Sequence, residues 1–176
     1  MQKITHQQLL DWLKKEVKLS LGCTEPIAIA YAAAVAAKYL NAPILKITGN
    51  ISENLYKNAM GVTIPGTSYC GVTLAAAIGA IGGNADADLE VLKDITATQI
   101  TEAYIFNESG NVCLNAVDAT DFIFIDITLY SLSDQCRVVI QGSHTNVTEV
   151  YINNIKQILV RDLIAANDSG VLPEFS

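Results

Sequence analysis

Between Ile27 and Ala37 the chain reads "IAIAYAAAVAA", and every position is apolar or small. A helix with no polar face is surrounded by other elements instead of lying on a surface. The pattern predicts that it begins at Thr24 or Glu25. Threonine caps well, an acid suits the positive end of the helix dipole, and Pro26 is tolerated in a first turn. Upstream, Leu9, Leu10, Leu13 and Val17 recur at helical spacing with Lys and Gln opposite, which predicts an amphipathic helix over residues 5–20, stopped at Gly22. Pro43 breaks the pattern, and "ILKITGNIS" reads as a strand. The stretch "ENLYKNAMGVTIPGTSYCG" predicts a loop with a short helical turn. Residues 71–81 form a second buried helix ended by Gly82-Gly83. Asn84, Asp86 and Asp88 then open an amphipathic helix of about 20 residues through Ile105, with Leu89, Leu92, Ile95, Ile100 and Ala103 at its apolar positions.

After Gly110 the period changes. "NVCLNAVD", "DFIFIDITLYSL", "QCRVVIQG", "TNVTEVYI" and "IKQILVRD" are β-branched segments separated by turn formers. "YINNIKQ" predicts a tight hairpin at Asn153-Asn154, because asparagine tolerates positive φ. Helices first and strands later give an α+β fold. N-terminal buried helices pack on a mostly antiparallel sheet formed largely by the C-terminal strands. Residues 1–176 read as a single domain, with about 168–176 as a frayed tail.

Composition narrows the function classes. Eleven basic and eighteen acidic residues give a net charge of −7 with no basic cluster, which argues against a nucleic-acid partner. The polar N-terminus has no signal-peptide pattern. The uncharged run from Pro26 to Ala37 is much shorter than the roughly 20 residues that span a bilayer. A cytoplasmic protein is expected, with Cys23, Cys70, Cys113 and Cys136 as thiols. No C-x-x-C occurs, so no self-sufficient metal site is read from this chain.

Three stretches could carry chemistry. Cys23 precedes a helix start, where the dipole and free amides lower a thiol's pKa and favour a thiolate base or nucleophile. A small buried residue at a helix junction is the plainer alternative. Lys57 and Asn58, with the Gly66-Thr67 turn, could hold a carboxylate or could be an ordinary surface loop. His144, in "GSHTN", could be an acid, a base or an oriented donor, or a turn histidine satisfied by its neighbours. Cys70, Cys113 and Cys136 read as structural. No calcium loop fits Asn84, Asp86 and Asp88.

Taken in order, "GCTEPIAIAYAAAVAA", "NLYKNAMGVTIPGT", "AAAIGAIGGNADADLEVLKD" and "GSHTN" resemble the N-terminal part of the L-cysteine desulfidase family, which is related to the alpha subunit of iron–sulfur L-serine dehydratases. The resemblance implies a cytosolic lyase that converts L-cysteine to pyruvate, ammonia and hydrogen sulfide. It implies a [4Fe–4S] cluster held by three C-terminal cysteines that this chain does not carry, so no cofactor is expected here. It gives Cys23 the role of base, and it places Lys57, Asn58, Gly66, Thr67 and His144 around the substrate carboxylate.

The leading expectation is therefore the N-terminal domain of such a lyase, inactive alone and completed by a second chain carrying the cluster half. The alternative is a non-catalytic small-molecule-binding or dimerisation module, possible as a homodimer. A third reading is a stand-alone thiol enzyme, which needs Cys23 and His144 within hydrogen-bond reach.

Overall fold

The computed structural model describes residues 22–157, together with Gln7 and Leu10. Apart from those two positions, the helix expected over 5–20 lies outside the described residues, as does the tail from 168.

Helix α1 (Thr24–Leu40) begins where the sequence predicts and ends at Asn41, whose φ of 46° lets its amide donate to the Ala37 carbonyl. Its residues from Pro26 to Ala36 are buried on every side. Strand β1 (Lys46–Ser52) follows, then the short helix α2 (Glu53–Met60) and the second apolar helix α3 (Val72–Gly82). Helices α1 and α3 pack at very short range because both carry small residues at the crossing. A Cβ built on Gly79 would lie 2.1 Å from the Ala30 carbonyl oxygen.

The long helix expected from Asn84 to Ile105 is two pieces. The Asn84 side chain accepts from the Asp86 amide and turns the chain, and Asp88 takes a φ of 47° ahead of a 3₁₀ turn at Asp88–Glu90. Helix α4 (Ala97–Glu108) starts afresh at Thr96, in a capping box with Gln99. Leu89 and Leu92 are buried as the amphipathic pattern requires, but they reach the core from turns.

Strands β2 (Val112–Val117), β3 (Phe124–Tyr130), β4 (Gln135–Gln141), β5 (Val147–Ile152) and β6 (Ile155–Lys156) complete a sheet of order β2-β1-β3-β4-β5-β6. All pairings are antiparallel except β1 with β2. The fold is thus α+β, and among the described residues β1 is the one strand from the N-terminal half, enclosed between two later ones. The β5–β6 hairpin turns on Asn153 and Asn154, at φ of 50° and 66°.

One face of the sheet carries Val112, Ile47, Leu129 and Cys136 in a single row, with Ile125, Ile127, Val138 and Ile140 beside them, all buried against α1 and α3. The other face is polar. There Cys113, Thr48, Thr128, Arg137 and Tyr151 share a row, and the Arg137 guanidinium makes two 2.8 Å hydrogen bonds to Asp126. The described helices therefore cover one side, and α1 lies at the centre of the covered side. Among the described residues no helix is long and apolar enough to cross a membrane.

Candidate functional site

The head of α1 brings three chain segments together. Cys23 is the N-cap, with extended backbone and a partly buried side chain. Its thiol makes no capping bond to the helix amides and instead donates to Oε2 of Glu25 at 2.7 Å. Helix α2 packs beside this end of α1, and its Asn58 side chain is a further donor to the Glu25 carboxylate. The third segment is the β4–β5 turn. Gly142, at φ 81°, reverses the chain, and the Asn146 side chain ties the turn to the Gln141 carbonyl at 2.8 Å. This turn carries His144 to within electrostatic range of Glu25.

The protonation states follow from this arrangement and correct one expectation. The Cys23 thiol is pushed above its ordinary value, first by burial and next by its hydrogen bond to the Glu25 carboxylate. The amides of Thr24 and Glu25 pull the other way and are outweighed. Cys23 is therefore a protonated thiol at neutral pH, where the helix-start reading expected a thiolate. The complementary shift falls on Glu25, whose carboxyl is lowered chiefly by the Cys23 thiol, with help from its own backbone amide, His144 and Asn58. The helix start thus stabilises a carboxylate, and that carboxylate keeps the proton on sulfur. His144 is pushed down by burial, partly opposed by the Glu25 charge, and is a neutral imidazole at pH 7. Its Nε2 is buried and has no hydrogen-bond partner among the described residues.

The other expected residues surround this cluster unevenly. Lys57 is exposed and pairs with Glu53 one turn back at 2.8 Å. "IPGT" forms a type II turn with Gly66 at φ 82° and the Thr67 amide donating to the Ile64 carbonyl at 3.0 Å. The Thr67 hydroxyl donates to the same carbonyl at 2.9 Å, so both of its donors are engaged within the turn. The turn nevertheless borders the site: a Cβ on Gly22 would meet Pro65 at 3.1 Å. Glu25 was read from the sequence only as a helix-start acid. The signal that would have marked it is a carboxylate two positions beyond an N-cap thiol, close enough to bond it.

The remaining cysteines also need correcting. Cys136 is buried on the helix-covered face of the sheet, whereas Cys70 and Cys113 are exposed, so only the first of the three has an apolar structural setting. Cys113 and Cys136 lie on opposite faces, and Cys70 sits on a loop bridged to Thr63. Three thiolates converging on one iron are what a cluster needs. These three do not converge, and no group of three His, Cys, Asp or Glu side chains among the described residues suits a metal ion. The donors present do not fit an iron–sulfur cluster.

The comparisons with known proteins bear on the family. No family model matches the chain, and no solved structure matches it. It is 51% identical over 167 residues to a UPF0597 protein of Klebsiella pneumoniae, spanning 95% of this chain and 39% of that protein. UPF0597 proteins of Photobacterium profundum and Yersinia enterocolitica are 44% and 43% identical over 146 and 141 residues, with 34% and 32% of their lengths covered. The chain thus spans about a third of the length of these curated relatives. These names correct the family expected from the motifs: the relatives are UPF0597 proteins, and none of these is named as an L-cysteine desulfidase or a serine dehydratase.

Proposed function

We propose that this chain supplies the proton-handling part of a cytoplasmic lyase that removes the α-proton of L-cysteine, or of a like amino acid such as L-serine, and expels its β-substituent. The observation that carries the reading is the 2.7 Å bond of Cys23 to Glu25 at the head of α1 with His144 in electrostatic range of the same carboxylate, its imidazole neutral and its buried Nε2 without a partner among the described residues. In this reading His144 accepts the α-proton. The Cα–H bond breaks, an N–H bond forms on the ring, and the freed pair enters a Cα=Cβ bond as the β-substituent leaves with its own bonding electrons. For L-cysteine the departing hydrosulfide takes that proton back from His144 and leaves as hydrogen sulfide, which restores the neutral ring, and the enamine is hydrolysed by water to pyruvate and ammonia. Cys23 keeps its proton and presents an S–H donor. Asn58 and the Gly66 amide of the turn are assigned to the substrate carboxylate, with Thr67 holding the turn and Lys57, if it leaves Glu53, supplying positive charge nearby.

An amino-acid α-proton is too weakly acidic for an imidazole alone. The group that draws electron density from the substrate belongs, in this reading, to the rest of a longer protein or to a second chain. The isolated chain then binds the amino acid without turning it over. Titrating L-cysteine and L-serine into the chain while following amide and imidazole NMR signals tests this. Saturable shifts around Cys23 and His144 with no sulfide release are expected. No binding at millimolar amino acid, or steady sulfide release by the chain alone, contradicts it.

A second reading, a non-catalytic small-molecule-binding or dimerisation module, is favoured by one observation. A cleft of about 300 Å³ lies along α1, lined by Tyr31, Tyr39, Lys38 and Asp86 and by the β5 side at Val147. Shifts confined to that cleft, or a stable dimer in sedimentation with no response at Cys23, would favour it.

A further inference from the structure

We infer that Glu25 is a positioning residue of this site. One carboxylate keeps the Cys23 proton on sulfur and also steadies the positive charge that forms on His144 when the imidazole takes a proton. The inference rests on the reading of Cys23 and His144 as one acid–base site, and it assigns the group that makes them one.

Five observations lead there. The Cys23 thiol is bonded to Glu25 at 2.7 Å and makes no capping bond to the helix amides. His144 stands in the field of the same carboxylate, with a buried Nε2 that no described side chain satisfies. Asn58 adds a neutral donor to Glu25 from α2 and leaves its charge intact. The nearest cation on α2, Lys57, is paired with Glu53 and so does not cancel that charge. A carboxylate in the first turn of a long helix is held ionised by the dipole, which makes it a fixed negative pole.

The consequence for proton transfer is specific. When His144 accepts a proton, the imidazolium forms beside an anion already in place. No solvent reorganisation is required, and the electrostatic stabilisation appears only in the charged state. The thiol does not compete for that proton, because its sulfur already carries one and donates it to Glu25. The arrangement therefore directs the incoming proton to the ring and leaves the sulfur as a donor. Removing the charge should lower both titrations together, since the carboxylate favours the protonated form of each group.

The experiment uses the full chain and its Glu25→Gln variant. His144 is titrated by NMR through its ring protons. Cys23 is titrated by the pH dependence of iodoacetamide alkylation, read by peptide mass spectrometry with exposed Cys70 and Cys113 as internal references. In the parent chain the Cys23 midpoint should lie above the ordinary thiol value of about 8.5. In Glu25→Gln both the Cys23 and the His144 midpoints should fall. Glu25→Asp, which keeps the charge, should hold His144 near its parent value and guards against misreading a folding defect. Asp134→Asn, which removes an acid beside the start of β4, at the end away from the β4–β5 turn, should move neither. Unchanged midpoints in a folded Glu25→Gln variant, or a fall in only one of the two, overturn the inference. Paired falls without any amino-acid binding would instead leave Glu25 assigned and remove the lyase reading.

Discussion

Replacing Gly79 by alanine tests the helix pair that carries the site. A Cβ at this position would stand 2.1 Å from the carbonyl oxygen, 2.5 Å from the Cα and 2.6 Å from the carbonyl carbon of Ala30. All three are backbone atoms of α1, so no rotamer change relieves the contact, and the helices must separate. Overpacking of this kind costs about 1–3 kcal/mol or more. The contacts here lie at the severe end, because nonbonded carbon atoms prefer about 3.5–4.0 Å. Alanine returns about 1 kcal/mol through its better helix propensity. The balance is a destabilisation of about 2 kcal/mol, or roughly 4–8 °C in Tm for a chain of this size. Thermal and urea unfolding followed by circular dichroism measure it. Gly61→Ala is the matched control, since its φ of −95° is ordinary and nothing lies within 4 Å of the added carbon. A Gly79→Ala protein as stable as the parent, or more so, would refute the close-crossing account of α1 and α3.

Further outcomes follow from single groups. Thr96→Ala removes the side chain that accepts from the Gln99 amide at the start of α4, which should cost about 1 kcal/mol and speed hydrogen exchange in the first turn. Burial pushes the Cys136 thiol up to about 12. An unfolded thiol titrates near 8.5, so the Cys136 contribution is fully present below that pH and is lost as pH rises towards the folded value, at about 1.4 kcal/mol per unit. Tyr31, also raised to about 12 by burial and by Asp88, adds to this loss above about pH 10. Urea unfolding at pH 7 and pH 9.5 should show a steep alkaline loss in the parent that is shallower in Cys136→Val.

The parts of the fold that sequence patterns reach are those where one element dictates its own surroundings. Ile27 to Ala37 has no polar face, so a central position follows from its residues alone. Asn153-Asn154 permits the positive φ of a tight hairpin, and the alternation in β3 and β4 separates a buried face from a polar one. What stayed hidden depends on partners distant in sequence. Nothing local says that β1 pairs with β2 on one side and β3 on the other. The apolar spacing through Leu89 and Leu92 is helical, yet Asn84 and the Thr96–Gln99 box divide the segment because side chains there bond the backbone better than a continuous helix would. At the site, Cys23 and His144 were legible as reactive types. Their protonation states were not, because these depend on a 2.7 Å bond to Glu25 and on how deeply each group is buried.

The most direct measurement is the ionisation of Cys23 in a chain where it is the sole cysteine, with Cys70→Ser, Cys113→Ser and Cys136→Val, followed by thiolate absorbance in the near-240 nm region between pH 6 and 10. The account predicts a thiol that stays protonated past the ordinary midpoint of about 8.5, with the rise in absorbance moving to lower pH once Glu25 is made glutamine. A thiolate already fully formed at pH 7 would contradict it.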